Sequence, residues 1–143
     1  MRSDDATALS RFRAARVARL ATADATGQPH LVPITFAVSP VDSPLLVVTA
    51  IDHKPKSTTN LRRLRNIASN PRVCLLADHY EEDWTRLWWT RLDGNAEILT
   101  APADLTTPLT WLAAKYPQYR SVPPTGPVIR VDVESVRGWS YSV

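Results

Sequence analysis

The stretch Val17-Ala18-Arg19-Leu20-Ala21-Thr22-Ala23-Asp24-Ala25-Thr26-Gly27-Gln28-Pro29-His30-Leu31-Val32-Pro33-Ile34 decides the fold class of this chain. Val17 to Thr22 reads as a strand, and Asp24 to Pro29 is dense in turn formers. A second strand, His30 to Val38, follows so closely that a β-hairpin is the natural reading. Pro33 lacks the N–H that a central strand needs. That predicts an edge position, a bulge, or backbone facing a ligand rather than another strand. Upstream, Asp4 to Arg16 reads as a short helix, with Leu9, Phe12 and Ala15 recurring every third position and Arg11, Arg13 and Arg16 on the other faces.

Downstream, Ser39 to Pro44 makes a turn, and Leu45 to Ile51 is apolar without alternation, so both faces of that strand should be covered. Asp52 to Ser57 opens a helix running to about Ser69, with Pro55 suited to its first position and Leu61, Leu64 and Ile67 as its buried stripe. Arg72 to Ala77 is another strand, and His79 to Asp83 an acidic turn. A long strand region, Trp84 to Leu99, is interrupted near Asp93-Gly94-Asn95. Alternation there sets Trp84, Arg86 and Trp88 on one face, with Leu87 and Trp89 on the other. Pro102 to Tyr116 is expected to be helical after Pro108, Ser121 to Pro127 a stiff loop, and Val128 to Val133 and Trp139 to Val143 closing strands. Six to seven antiparallel strands in mainly hairpin order, with two or three helices, predict a mainly β domain spanning 1–143: a barrel with peripheral helices.

Composition narrows the function. The chain has 143 residues, 44% hydrophobic and 22% charged, as a soluble globular domain does. It has no run of the ~20 apolar residues a membrane span needs and no secretory leader pattern, so a cytoplasmic protein is expected. Its one cysteine, Cys74, excludes an internal disulfide and a Cys-based zinc cluster. Four glycines, at 27, 94, 126 and 138, cannot spell GxGxxG or a P-loop. His30, His53 and His79 are isolated, so no metal is expected. Asp78-His79 beside Glu81-Glu82-Asp83 reads as a charged turn, and Cys74 as a buried, inert thiol in a strand. With no nucleophile or acid/base dyad in view, any catalysis should be carried by a cofactor.

Charge is unevenly spread. Residues 1–72 hold 11 basic and 5 acidic side chains, residues 73–143 hold 6 and 9. Lys54, Lys56 and Ser57 fall at a helix start, where unpaired N–H groups and partial positive charge suit an anion such as phosphate. Ser57 and Thr58 as simple caps are the alternative. The basic run through Arg62, Arg63, Arg65 and Arg72 fits a solvated face or a long acidic ligand. No aromatic side chain lies between Leu45 and Arg72 to stack on bases, so nucleic acid is not the expected partner.

Several segments resemble a known family in order and spacing. Leu20-Ala21-Thr22 followed by Gly27-Gln28-Pro29-His30-Leu31-Val32-Pro33 resembles the opening hairpin of the pyridoxamine-phosphate-oxidase-like split-barrel proteins. Lys54-Pro55-Lys56 leading to Asn60-Leu61-Arg62-Arg63, then Asn70-Pro71-Arg72-Val73, resembles the next segment of that family. Leu76-Ala77-Asp78, the Trp-rich strand and Gly94-Asn95-Ala96-Glu97-Ile98 continue the order, so residues 17–99 are covered. Within the superfamily the chain is most similar to the actinobacterial branch that uses the deazaflavin coenzyme F420.

The resemblance implies an FMN-binding-like split β-barrel working as a homodimer, with cofactor sites in grooves between subunits. By the resemblance, Lys54, Lys56 and Ser57, with Asn60 close by, hold the cofactor phosphate. Pro29, His30, Pro33, Thr35, Thr49 and Ala50 line its ring, and Asp78 with the Trp84–Trp89 region faces the site or the partner subunit. The implied activity is hydride transfer from reduced F420 to an unsaturated or carbonyl-containing small molecule, with His79 and Tyr80 as candidate proton donors. The alternatives are an FMN-dependent oxidase or reductase and, from another class, a non-catalytic carrier of a flavin, deazaflavin or haem. The C-terminal segment, Val136 to Val143, lacks the family's substrate-binding arginine motif, which argues against vitamin B6 oxidation.

Overall fold

The computed structural model of the protein describes residues 1–51 and 61–142. Helix α1 (Asp5–Ala14) leads into the hairpin of β1 (Ala18–Ala23) and β2 (Pro29–Ile34), followed by β3 (Ala37–Val38) and β4 (Leu46–Ala50). Then come α2 (Arg62–Ser69), β5 (Arg72–His79), a single 3-10 turn at Trp84–Arg86 and β6 (Trp88–Leu99). Helices α3 (Pro102–Lys115) and α4 (Pro117–Ser121) precede β7 (Val128–Ser140). The strands form one antiparallel sheet in the order β2-β1-β5-β6-β7-β4-β3.

The two edges of that sheet, β2 and β3, are consecutive in sequence and joined only by Thr35 and Phe36. Laid flat, seven strands about 4.8 Å apart would separate the edges by roughly 29 Å. Three peptide units span about 11 Å at most. The sheet therefore has to curl until its edges nearly meet, which is the split barrel the sequence predicts. Pro33 sits on an edge strand, the place in a sheet that tolerates a missing N–H, because β2 pairs with β1 alone.

The expected single strand His30–Val38 is corrected to two strands on opposite edges. At the break, Phe36 turns its ring fully inward and packs on Phe12 of α1 with ring centres 4.7 Å apart. The barrel interior is built from alternate residues: Leu20 of β1, Leu75 of β5, Leu92 of β6 and Ile129 and Val131 of β7, with Leu64 and Ile67 of α2 against them. Strand β4 is buried on both sides, as expected. Val47 faces this core, whereas Val48 and Ala50 lie in a second cluster with Leu112 and Tyr116. Helix α1 lies close on β7, since a Cβ on Gly138 would stand 2.5 Å from that of Ala8, and the Thr90 hydroxyl donates to the Ala8 carbonyl at 2.9 Å.

Three further expectations are corrected. Trp84 and Arg86 lie in the 3-10 turn rather than on a strand face, and only Trp88 and Trp89 alternate. Helix α3 begins at Pro102 and runs through Pro108, whose ring is buried. The carbonyl left without a partner there belongs to Asp104, which water reaches, so the break that an internal proline favours does not occur. The two closing strands are one strand, β7. Asp93 pairs with Ser135 and Gly94 with Val133, so Glu134 is left over as a β-bulge that bends the pair.

Candidate functional site

The seam between the two sheet edges is held by side chains from distant parts of the chain. The Phe36 N–H donates to the Tyr116 hydroxyl at 3.1 Å, and that hydroxyl donates in turn to the Arg16 carbonyl at 2.8 Å. Thr35 Oγ1 and the Tyr119 hydroxyl share a hydrogen bond of 2.7 Å. Lys115 Nζ donates to the Ala15 carbonyl at 2.7 Å and lies 3.7 Å from the centre of the Phe36 ring. Burial, with Arg16 nearby, lowers the Lys115 ammonium from 10.5 to about 8. The Arg16 guanidinium donates to the Lys115 carbonyl at 2.9 Å and stands 4.7 Å from the centre of the Tyr116 ring.

Two hollows open along the seam and meet at Thr35. One, of about 200 Å³, is walled by Pro33, Ile34, Thr35, Thr49, Ala50 and Arg63, with Val17 at its margin. The other, of about 460 Å³, is walled by Thr35, Arg16, Tyr116, Pro117, Gln118 and Tyr119. Together they make a groove with apolar walls and a few convergent hydroxyls and cations. Among the described residues, no carboxylate lines either hollow. Such a groove suits a flat ring system with an anionic part.

The structure brings Pro33, Thr35, Thr49 and Ala50 together in the first hollow. Pro29 instead lines a hollow of about 510 Å³ on the outer face of the sheet, with Ala21, Cys74 and Asp93. His30 lies opposite Thr22, the buried partner of Asn66, and its Nδ1 is buried without a hydrogen bond. Asp78 also lies on the outer face. It pairs with Arg19 at 3.7 Å and borders a hollow of about 280 Å³ with Leu76, Tyr80, Trp89 and Arg91. Lys54, Lys56, Ser57 and Asn60 lie outside the described residues.

Of the candidate proton donors, His79 pairs with Glu81 and Tyr80 is 62% exposed; neither lines the seam. The half-buried Cys74 thiol is pushed up by burial and by Asp93, which keeps it protonated and inert. Among the described residues no group of three potential ligands could hold a metal ion. Sequence reading missed Arg16, Tyr116 and Tyr119. Thr35 and Tyr119 are 84 positions apart, and nothing local to either marks the pair.

A family model for pyridoxamine 5'-phosphate oxidase matches residues 5–140. The chain belongs to that family. Solved structures agree with this pyridoxamine 5'-phosphate oxidase fold. A conserved protein of unknown function from Corynebacterium diphtheriae is 21% identical, with a TM-score of 0.70 over 96% of this chain and 94% of its own. A FAD-binding protein from Mesorhizobium loti is 20% identical, with a TM-score of 0.71 over 96% and 95%. Another FAD-binding protein, from Mycobacterium smegmatis, is 16% identical, with a TM-score of 0.65 over 97% and 96%. No curated protein matches the sequence. Among the described residues of this pyridoxamine 5'-phosphate oxidase family member, no helix is long and apolar enough to cross a membrane.

Proposed function

We propose that the protein is an oxidoreductase that holds the deazaflavin coenzyme F420 along the seam and serves hydride transfer to an unsaturated or carbonyl-containing small molecule. The observation that carries this reading is the groove itself: two hollows meeting at Thr35, walled by apolar side chains and carrying Thr49 and Arg63 at one end. A family named for an oxidase and similar folds described as FAD-binding support a flavin-type ring. Bound there, the coenzyme would supply the hydride-carrying ring carbon. The protein's part is to orient and to exclude water. Thr35 and Thr49 offer hydroxyls to the ring edge, Pro33 and Ala50 offer apolar surface, and Arg63 offers a donor to an anionic group. The two exposed arginines on α2, Arg62 and Arg65, favour a coenzyme with an acidic tail over FMN.

The same reading makes the protein a homodimer. Leu31, Pro33, Ala21, Leu76 and Trp89 share the outer face of β2, β1, β5 and β6, and Leu31 is 64% exposed. The test is a titration of the purified protein with oxidised F420 and with FMN, followed by tryptophan fluorescence. Micromolar F420 binding with weak FMN binding is the expected result, and Arg62→Gln with Arg63→Gln should weaken F420 at least ten-fold more than FMN. Tight FMN binding alone would move the protein to flavin chemistry, and binding of neither would overturn the proposal.

A further inference from the structure

The reading above draws every side chain it assigns to the coenzyme from one end of the seam groove, the hollow of Pro33, Thr35, Thr49, Ala50 and Arg63. The larger hollow, of about 460 Å³, lies at the other end and is of a size that takes a small ligand of its own. We propose that this hollow is the acceptor subsite and that it selects a planar aromatic or conjugated molecule bearing a carboxylate or similar anionic group. The inference deepens the proposed function, since it names the substrate class for the same seam.

Shape argues for a flat molecule. Tyr116 and Tyr119 meet edge to face, with centres 5.6 Å apart and planes 76° to one another, so they form a right-angled aromatic corner. Tyr116 is buried with Arg16 over its ring, so a planar ligand would stack on Tyr119 and turn its edge toward Arg16. Pro117 adds apolar surface between them along the chain.

Charge argues for an anion. Arg16 presents a guanidinium over Tyr116, and only one of its five donors is taken, by the Lys115 carbonyl. The Lys115 ammonium stands 5.3 Å from the same ring. Among the described residues neither cation has a carboxylate partner, whereas Arg13, Arg19, Arg72 and Arg130 each do. Burial, and secondarily the Arg16 charge, lower the Lys115 ammonium to about 8, and an arriving anion would offset the repulsion between the two cations. A planar carboxylate also matches the forked donors of Arg16. Thr35 and its hydrogen-bonded partner Tyr119 sit where the two hollows join, which puts an occupant of this subsite next to the ring site.

The experiment uses cofactor-free protein, so its outcome is separate from that of the coenzyme titration. Benzoate, benzamide and benzamidine, with tri-glutamate as a polyanion lacking a ring, are titrated by ligand-observed NMR. Benzoate should bind at least ten-fold more tightly than the other three. Arg16→Gln should weaken benzoate about ten-fold and leave benzamide unchanged, as loss of one charge-assisted contact predicts. Because Arg16 also ties α3 to the segment before β1, the exposed position Gln118→Glu serves as a second variant that leaves those contacts alone. It should weaken benzoate and strengthen benzamidine. Equal binding of benzoate and benzamide, preference for tri-glutamate or benzamidine, or indifference to both variants would overturn the assignment.

Discussion

Lys115 shows how one side chain can register the state of the seam. Its ammonium is half-buried over Phe36 and beside Arg16, and its folded value of about 8 lies below the ordinary 10.5. The unfolded chain therefore holds a proton on this lysine between those two values that the folded chain has released. Stability should rise with pH across that interval as far as Lys115 is concerned. Tyr116 opposes it only higher up, because burial raises its phenol above 10 and stability is lost as the unfolded tyrosine ionises first. Urea midpoints at pH 7.5 and 9.5 should show a gain in the native protein. Lys115→Met should remove that gain, and an equal gain in both proteins would assign it to another group.

At the scale of the element, the seating of α1 on β7 is sensitive to a single atom. Gly138 of β7 lies so close to Ala8 that an added methyl overlaps it, and the Ser3 side chain would stand 3.4 Å from that methyl. Gly138→Ala should cost about 1–3 kcal/mol, the range for overpacking a close contact. Amide exchange should quicken in α1 and leave β5 unchanged; a uniform change across both would mean global destabilisation instead.

Element by element, the sequence discloses what depends on neighbours in the chain. The hairpin of β1 and β2, the two-sided burial of β4 and the edge position of Pro33 follow from local pattern. The break at Thr35–Phe36 does not, because Phe36 leaves the strand to reach Phe12 and Tyr116, both distant in sequence. The bulge at Glu134 was equally hidden, since it exists only in the register between β6 and β7. The site divides the same way. Thr35, Thr49 and Ala50 were reachable through the resemblance, whereas Arg16, Tyr116 and Tyr119 become neighbours only when α3 and α4 dock against the seam.

For the molecule as a whole, the outer face is the surface that the homodimer reading rests on. It combines apolar side chains with charges of both signs, Arg19 and Arg91 against Asp78 and Asp93. A copy of the same face turned by a two-fold axis can match such a pattern. Leu31→Glu sets an unpaired carboxylate on the β2 edge of it. Sedimentation equilibrium should report a dimer for the native chain and a monomer for Leu31→Glu, with the circular dichroism spectrum unchanged. A native monomer at micromolar concentration would remove the dimer from the proposal.

The order of the strands has a consequence for how the protein comes into being. Strand β4 with its short partner β3 reaches the rest of the sheet only through β7, which comes last among the strands. While the chain is still being synthesised, the hairpin of β1 and β2 can find β5 and β6, but β4 has nothing to join. One rim of the groove must therefore wait for residues translated some eighty positions later. Closure of such long loops is slow. A nascent chain would meanwhile display the apolar faces of β4, and the site stays incomplete until β7 arrives to cover that strand's edge.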